Sequence, residues 1–190
     1  MAHATPSELV DERAQENVLI VRLLLLHGFT ATGRSWDAVR RRIDGATYSE
    51  VLAPDLRGHG EAGDQTPATI PAVVEDLRQD EPYALAGYSM GGRIALHLAL
   101  AQPALVERLV LISATPGIPE PTGRAQRRRS DAELAEGLER AGLETFARWW
   151  AAQPLFAGQP PEVAAAARAD RLRNTAEGLA ASLRGMGTGR

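Results

Sequence analysis

The stretch from Tyr83 to residue 101 constrains the fold of this chain more than any other. A run of β-forming residues leads from Tyr83 into a Gly-x-Ser-x-Gly core centred on Ser89, and a helix-period pattern follows at once. This order of strand, sharp turn and helix is the context that a nucleophile elbow requires. Gly87 and Gly91 leave room at the turn, where the Cβ of another residue would collide as strand and helix approach.

Two interpretations of Ser89 are open on these residues alone. In the first, the strained turn pushes the hydroxyl clear of the sheet, so that it serves as a nucleophile or as a proton relay. In the second, the glycines mark an ordinary strand-to-helix turn without catalytic meaning, which is common in parallel α/β proteins. The other elements of the chain are needed to decide between them.

Four strands are predicted, and all of them lie before residue 114. Their aliphatic runs suit strands that are buried on both faces of a parallel sheet. They cover residues 18–26, 49–53, 83–88 and 105–113. Helical patterns at residues 36–43, with Ser35 as the N-cap, and at 70–77 lie between the strands. This alternation predicts a doubly wound α/β fold with a mostly parallel sheet.

The character of the chain changes after residue 113. Residues 115–122 are rich in Pro and Gly and predict a linker, and four helical stretches follow. Ser130 with Glu133 forms a capping box for the first of these helices, and Gly142 closes it. We expect residues 1–117 to form a core and residues 118–186 to form a helical layer over it.

Composition limits the classes of function. The chain has 190 residues, a formal net charge of −3 and no cysteine, and all of its 21 basic residues are arginine. This predicts one cytoplasmic domain that binds neither nucleic acid nor membrane, without disulfides or thiolate metal sites. The chemistry discussed below needs no metal and no cofactor, and we see no clustered metal ligands.

The sequence resembles the α/β-hydrolase family, and within it the 2-succinyl-6-hydroxy-2,4-cyclohexadiene-1-carboxylate synthases. Three loops follow that family's order: His27-Gly28-Phe29, residues 54–60 and the Ser89 elbow. The more specific phrases are residues 87–96, which carry an arginine four positions after the serine, then 150–156 and 178–189. The resemblance implies an α/β-hydrolase fold with an inserted helical cap.

The resemblance also implies a lyase that removes a proton from a cyclohexene carboxylate and expels pyruvate. Its small-molecule substrate carries several carboxylates, which arginine forks bind in bidentate fashion. Ser89 is then the catalytic residue, and the N–H groups of Phe29 and Met90 form the oxyanion hole. The substrate-binding residues implied are His27, Tyr88, Arg93, Arg127, Trp150 and Arg171.

Several of these residues have ordinary structural alternatives. Arg93 lies one helical turn beyond Ser89 and therefore on the side of its hydroxyl, although a surface arginine is the alternative. Arg127 belongs to a run of arginines that are mostly solvated. Trp150 shares a helix face with apolar residues and packs inside the cap. Arg173 is close enough to Arg171 for a shifted register, and Tyr88 is equally a buried ring at a strand end.

The sequence departs from the family where the catalytic base is concerned. Family members place an aspartate and then a histidine after two further strands beyond the cap. None of the four histidines here is positioned to take the proton from Ser89. We therefore interpret the chain as a truncated member that lacks the last core strands and has little turnover. Residues 109–112 would then form an open apolar edge that invites self-association.

Two other functions are compatible with the sequence. The same elbow would serve a generic serine hydrolase such as a small esterase. A non-catalytic fragment that binds a partner through its open sheet edge is the third hypothesis.

Overall fold

The computed structural model describes residues 22–43, 47–48 and 50–190, and within them it contains one parallel four-stranded sheet. The strands are β1 (Arg22–Leu26), β2 (Glu50–Leu52), β3 (Tyr83–Tyr88) and β4 (Val106–Ile112). Their spatial order is β2-β1-β3-β4, and every pairing is parallel. The predicted parallel α/β sheet is confirmed. Residues 18–21 and Ser49 of the predicted strands, and His3, one of the four histidines, lie outside the described residues.

Strand β1 shows why a continuous aliphatic run forms a central strand. Alternate side chains point to opposite faces of a sheet. Leu24 and Leu26 join a buried cluster with Ile94 on one face, whereas Leu23 and Leu25 pack with Trp36 on the other. Both faces are covered, so a polar residue at any of these positions would be buried without water.

Helices follow each strand and then form a separate layer. The described residues contain α1 (Asp37–Arg40), α2 (Ile70–Asp76), α3 (Met90–Ala101), α4 (Pro121–Ala141), α5 (Leu143–Ala151), α6 (Pro161–Arg171) and α7 (Ala176–Met186). Helix α3 begins just after β3. The four helices that follow β4, which are α4 to α7, pack over the Ser89 end of the sheet. This arrangement places the elbow between the sheet and the helical layer.

The predicted helix at residues 36–43 is wrong in its start and its length. A 3-10 turn over Gly33–Trp36 comes first, and only the single α-helical turn of α1 follows. The N-cap is Thr32 and not Ser35, because the Thr32 hydroxyl accepts a hydrogen bond from the N–H of Arg34 at 3.3 Å. The capping side chain therefore lies three residues earlier than predicted, and the start of the turn moves with it.

The predicted capping box at Ser130 is also wrong. Helix α4 begins at Pro121, which takes the first helical position where its missing N–H costs nothing, and it continues through Ser130 without a break. Part of the predicted linker is therefore helical. The predicted end is confirmed, since Gly142 adopts a φ of 77° after the last turn.

Helix α7 joins the helical layer to the sheet. Leu179 and Leu183 pack with Leu138 of α4 in one buried cluster. Met186 belongs to the cluster that Ile94 forms with β1 on one face of the sheet. A Cβ on Gly178 would lie 2.6 Å from the carbonyl oxygen of Gly63, so the helix approaches the loop after β2 closely. These contacts hold the layer in a fixed position above Ser89.

Strand β4 lies at the edge of the sheet, and within the described residues it pairs only with β3. Its apolar side chains are exposed: Leu109 by 37%, Val110 by 52%, Leu111 by 43% and Ile112 by 39%.

In the described residues no helix is long and apolar enough to cross a membrane. The cytoplasmic location stays a prediction.

Candidate active site

Ser89 occupies the sharp turn between β3 and α3. Its φ of 53° and ψ of −113° lie in a region that residues with a side chain rarely adopt, and such strain persists only where neighbours enforce it. Here its N–H donates to the carbonyl of Ile112 at 2.9 Å, which ties the turn to the end of β4. The side chain is exposed to a cavity on the helical side.

The glycines beside Ser89 permit this turn. A Cβ on Gly87 would lie 2.4 Å from the carbonyl oxygen of Gly91, and a Cβ on Gly91 would lie 2.3 Å from that of Leu26. Both contacts are with backbone atoms, which cannot move aside. The predicted reason for glycine at these two positions is confirmed.

A cavity of about 360 Å³ opens above Ser89 between the sheet and the helical layer. Five further residues that the sequence analysis selected line it: Phe29, Met90, Arg93, Arg127 and Trp150. They come from the loop after β1 and from α3, α4 and α5. The fold therefore brings residues from four separate segments to one serine.

The two backbone N–H groups predicted to form an oxyanion hole are those of Met90 and Phe29, and both residues line the cavity. Met90 is the first residue of α3, where the N–H groups of a helix lack an internal partner and carry partial positive charge. Phe29 lies in the loop that follows β1. Among the described residues neither N–H donates to a backbone or side-chain acceptor. Both N–H groups are therefore unpartnered within the described residues, and their part in the chemistry stays a prediction.

Arg93 reaches from the first turn of α3 to the end of α7. Its guanidinium donates to the carbonyls of Gly187, at 3.0 Å, and of Met186. The side chain is only 4% exposed, and burial, assisted by the charge of Arg127, lowers its pKa. The carbonyls at a helix C-terminus stabilise a cation, so they hold this buried guanidinium at the cavity wall.

Arg127 and Asp131 form an ion pair one turn apart on α4. The Arg127 Nε donates to Asp131 Oδ1 at 2.7 Å, while Oδ2 is buried and has no partner among the described residues. Asp131 fits against Gly187, where a Cβ would lie 2.1 Å from Oδ2. With Arg93, two guanidinium groups therefore face one carboxylate, which leaves the cavity wall with an excess of positive charge.

Trp150 closes the cavity from α5. Its ring packs against Phe29, with centroids 5.4 Å apart, and stacks on Phe146 at 5.7 Å. The Nε1–H of Trp150 is buried and has no acceptor within the described part of the chain. The ring is therefore both a packed side chain and a cavity wall with a free donor.

His27 lies behind the cavity and is fully buried. Its Nε2 accepts from the N–H of Leu56 at 3.0 Å, so its Nδ1 is the donor to the carbonyl of Gly28 at 2.9 Å. Burial lowers its pKa, which favours the neutral ring. Both ring nitrogens are used by the backbone, so the structure gives His27 a role in shaping the loop and no contact with the cavity.

Tyr88 and Arg171 also lie outside the cavity lining. The Tyr88 ring packs on Gly28, since a Cβ on this glycine would lie 2.9 Å from the ring. The Tyr88 side chain is also partly exposed to solvent. Arg171 is 5% exposed, and its Nε donates to the Thr30 hydroxyl at 3.2 Å. Its guanidinium lies 5.4 Å from the centre of the Phe156 ring. The substrate contacts expected for these two residues are not formed by the cavity as described.

No histidine and no carboxylate line the cavity in the part of the chain that the structure describes. His59 is buried against His27, with ring centroids 5.0 Å apart, and burial lowers its pKa to about 3. His97 lies on a different surface of α3 and lines a separate groove. The described residues also contain no group of three side chains that could hold a metal ion.

The sequence analysis missed a polar part of the cavity wall. It is formed by the end of β4 and the end of α7, with Ser113, Thr115, Gly187 and Thr188. Residues 178–189 carried the resemblance, which was the one available signal for the α7 part. Ser113 has a φ of 49°, a conformation that cannot be predicted from its residue type.

Comparison with known proteins agrees with this geometry. A model of the Alpha/beta hydrolase family matches residues 23–188. A Bacillus subtilis (strain 168) protein, provisionally named 2-succinyl-6-hydroxy-2,4-cyclohexadiene-1-carboxylate synthase, is 36% identical over 178 residues, which are 88% of this chain and 64% of that protein. The synthase of the same name from Enterobacter sp. (strain 638) is 33% identical over 167 residues, with 85% and 64% covered.

Solved structures give the same result. The structure of MenH from S. aureus is similar with a TM-score of 0.79 and 32% sequence identity, over 89% of this chain and 67% of that one. The chain spans 64% of the length of both curated relatives. The predicted resemblance and the predicted fold class are confirmed.

Proposed function

Because this chain belongs to the alpha/beta hydrolase family, we propose that it is a lyase that eliminates pyruvate from a succinyl-cyclohexene-carboxylate substrate. The observation that carries the proposal is the cavity that Ser89 shares with Arg93 and Arg127. The similarity to two proteins named as synthases of this type supports it.

The charge of the cavity suits a polycarboxylate. Arg93 is fixed by the carbonyls at the end of α7, so its remaining N–H groups are already oriented when a ligand arrives. Arg127 keeps only its Nε on Asp131, which leaves its terminal N–H groups available. A guanidinium binds a carboxylate through two parallel hydrogen bonds, which fixes the orientation of the substrate as well as its affinity.

The elimination itself requires a proton acceptor and a place for developing negative charge. A proton leaves a ring carbon, and its electron pair shifts to form a new ring double bond as the carbon–oxygen bond breaks. The oxygen departs on the enol form of pyruvate, which takes up a proton to become pyruvate. The N–H groups of Phe29 and Met90 would stabilise the enolate oxygen that forms as the proton leaves. The Ser89 hydroxyl, held clear of the sheet, would relay that proton.

A serine hydroxyl relays a proton well only when a base accepts it. The described residues that line the cavity include no histidine and no carboxylate. We therefore propose that full turnover depends on a base that the described cavity lining does not contain, such as the histidine, oriented by an aspartate, that family members place after the cap. The 190-residue chain then binds the substrate but turns it over slowly.

The test measures pyruvate with a lactate dehydrogenase coupled assay, with the cyclohexene substrate at saturating concentration. We expect slow release from the 190-residue chain, a large increase when a C-terminal segment with the aspartate and histidine is fused, and loss of that increase in Ser89→Ala. Turnover by the 190-residue chain at the rate of the fused protein would contradict the need for an added base.

The same proteins should be tested with a p-nitrophenyl ester, since a generic serine hydrolase is the second candidate. Ester hydrolysis that depends on Ser89, without any pyruvate from the cyclohexene substrate, would replace the lyase proposal with that of an esterase.

A further inference from the structure

The loop that carries the Phe29 N–H is held from outside the sheet by the end of α6. We propose that Asp170 and Asn174 are positioning residues for the oxyanion hole: they hold Thr30 and Thr32, and through them the direction of the Phe29 N–H. The contacts of Asp170 and Asn174 with Thr30 and Thr32 form what we call the loop latch. This inference rests on the role of Phe29 in the proposed function.

Asp170 forms the first half of the loop latch. Its Oδ2 accepts from the N–H of Thr32 at 2.9 Å, and its Oδ1 accepts from the Thr32 hydroxyl. An acidic residue in the last turn of a helix is electrostatically unfavourable there, because the carbonyl end carries partial negative charge. Its two donors from the loop offset that cost, and Thr32 is 1% exposed, so water does not replace them.

Asn174 forms the second half. Its Nδ2 donates to the carbonyl of Thr30 at 3.0 Å, and its Oδ1 accepts from the N–H of Gly60 at 3.0 Å. The residue is 5% exposed. One buried amide therefore joins the loop after β1 to the loop after β2, and it fixes the carbonyl directly beyond Phe29.

Thr30 needs such support because of its backbone conformation. Its φ of 68° lies in the left-handed region, which is unfavourable for a residue with a Cβ. Asn174 holds its carbonyl and Arg171 holds its hydroxyl. Without these bonds the backbone of Thr30 would return to an ordinary conformation, and the Phe29 N–H would turn with it.

Aromatic packing fixes the side chain of Phe29 but not its N–H. The ring contacts Trp150 at a centroid distance of 5.4 Å, and Trp150 contacts Phe156 at 6.1 Å. A ring can keep these contacts while the peptide unit rotates. The loop latch is therefore separable from the cavity wall, and a variant can lose the hole without losing the anion site formed by Arg93 and Arg127.

The test compares two probes of the same cavity in the 190-residue chain. Phenylboronic acid is a probe of the hole, because the Ser89 Oγ adds to boron, its proton passes to water, and a tetrahedral boronate anion places an oxygen at the two N–H groups. Succinate is a probe of the arginines and forms no bond to Ser89. Dissociation constants are measured by calorimetry, and circular dichroism shows that each variant is folded.

Four variants separate the possibilities. Asn174→Ala and Thr32→Val each remove part of the loop latch, and Thr32→Ser keeps the hydroxyl. Glu162→Gln is the control, because Glu162 is an exposed residue of α6, the helix that carries Asp170, and it takes no part in the loop latch. Since loss of a complete oxyanion donor costs about a hundredfold or more, we expect a misaligned donor to weaken phenylboronic acid about tenfold in Asn174→Ala and Thr32→Val. The other two variants, and succinate affinity in all four, should stay within twofold.

Phenylboronic acid affinities within twofold of the parent in both latch variants would overturn the proposal. So would a parallel loss of succinate and boronate affinity, which would show a general collapse of the cavity, or a parent chain that does not bind the boronate. If Asn174→Ala does not fold, the isosteric Thr32→Val decides. A parent that binds the boronate but not succinate would contradict the proposed substrate class. The ratio of the phenylboronic acid dissociation constants of the latch variants and the parent would still test the loop latch.

Discussion

The buried histidine pair behind the oxyanion loop should make the protein less stable in mild acid. His59 is fully buried, and burial together with the like charge of His27 lowers its pKa to about 3. In the unfolded chain the pKa returns to its usual 6.5. Between these values the unfolded chain binds the proton and the folded chain does not, so the free energy of unfolding falls as the pH falls below 6.5.

The size of the effect follows from the two pKa values. At pH 5 the unfolded ring lies 1.5 pH units below its pKa, which corresponds to a loss of about 2 kcal/mol relative to pH 7. Burial lowers the pKa of His27 as well, so its contribution has the same sign. With a urea m-value of about 2 kcal/mol/M, the midpoint should move down by about 1 M.

Equilibrium urea unfolding at pH 7 and pH 5 measures this difference. In His59→Gln, which has no titrating ring at this position, the loss between the two pH values should shrink by about 2 kcal/mol. His97→Gln is the comparison, because this ring is more exposed and should change the loss much less. Equal losses in the parent and in His59→Gln would refute the assignment of His59 as a buried neutral ring.

Two further predictions concern packing and association. Gly91→Ala should lower the free energy of unfolding by about 1–3 kcal/mol, because its Cβ would meet the Leu26 carbonyl oxygen at 2.3 Å. Gly137→Ala on α4 should raise the free energy of unfolding by about 0.5–1 kcal/mol, because a Cβ there would have nothing within 4 Å. Thermal and urea unfolding check both, and equal effects would contradict the close approach at the elbow. We also propose that the exposed edge of β4 pairs with a second copy of the chain, so that light scattering shows oligomers. Val110→Lys places a charge on this strand and should shift the oligomers toward monomer. A monomeric parent would contradict this pairing.

Local patterns predicted the elements on which the site is built. The leucines of β1 are buried on both faces, as a continuous aliphatic run requires in a parallel sheet. The glycines around Ser89 are required by contacts with backbone nearby in the chain and in β1. Such features depend on residue period and on the presence or absence of a Cβ, which the sequence states directly.

Features that depend on distant contacts could not be predicted. The sequence placed Arg93 near Ser89, but its partners are carbonyls more than 90 residues later in the chain. Arg171 was expected at the cavity, and it instead lies on Thr30 and Phe156, because the direction of a side chain on α6 is set by how that helix packs. The start of α4 at Pro121 was missed because the arginine-rich turn after it has no apolar period.

Ser89 opens onto a cavity, and we propose that the arginines of this cavity bind a polycarboxylate. The most direct measurement follows the backbone amide resonances of ¹⁵N-labelled protein during titration with succinate. We expect saturable shifts at Met90 and Gly187, and a dissociation constant about tenfold weaker in Arg127→Gln because one charge-assisted contact is lost. Saturable shifts confined to residues away from this cavity, or an unchanged affinity in Arg127→Gln, would contradict it.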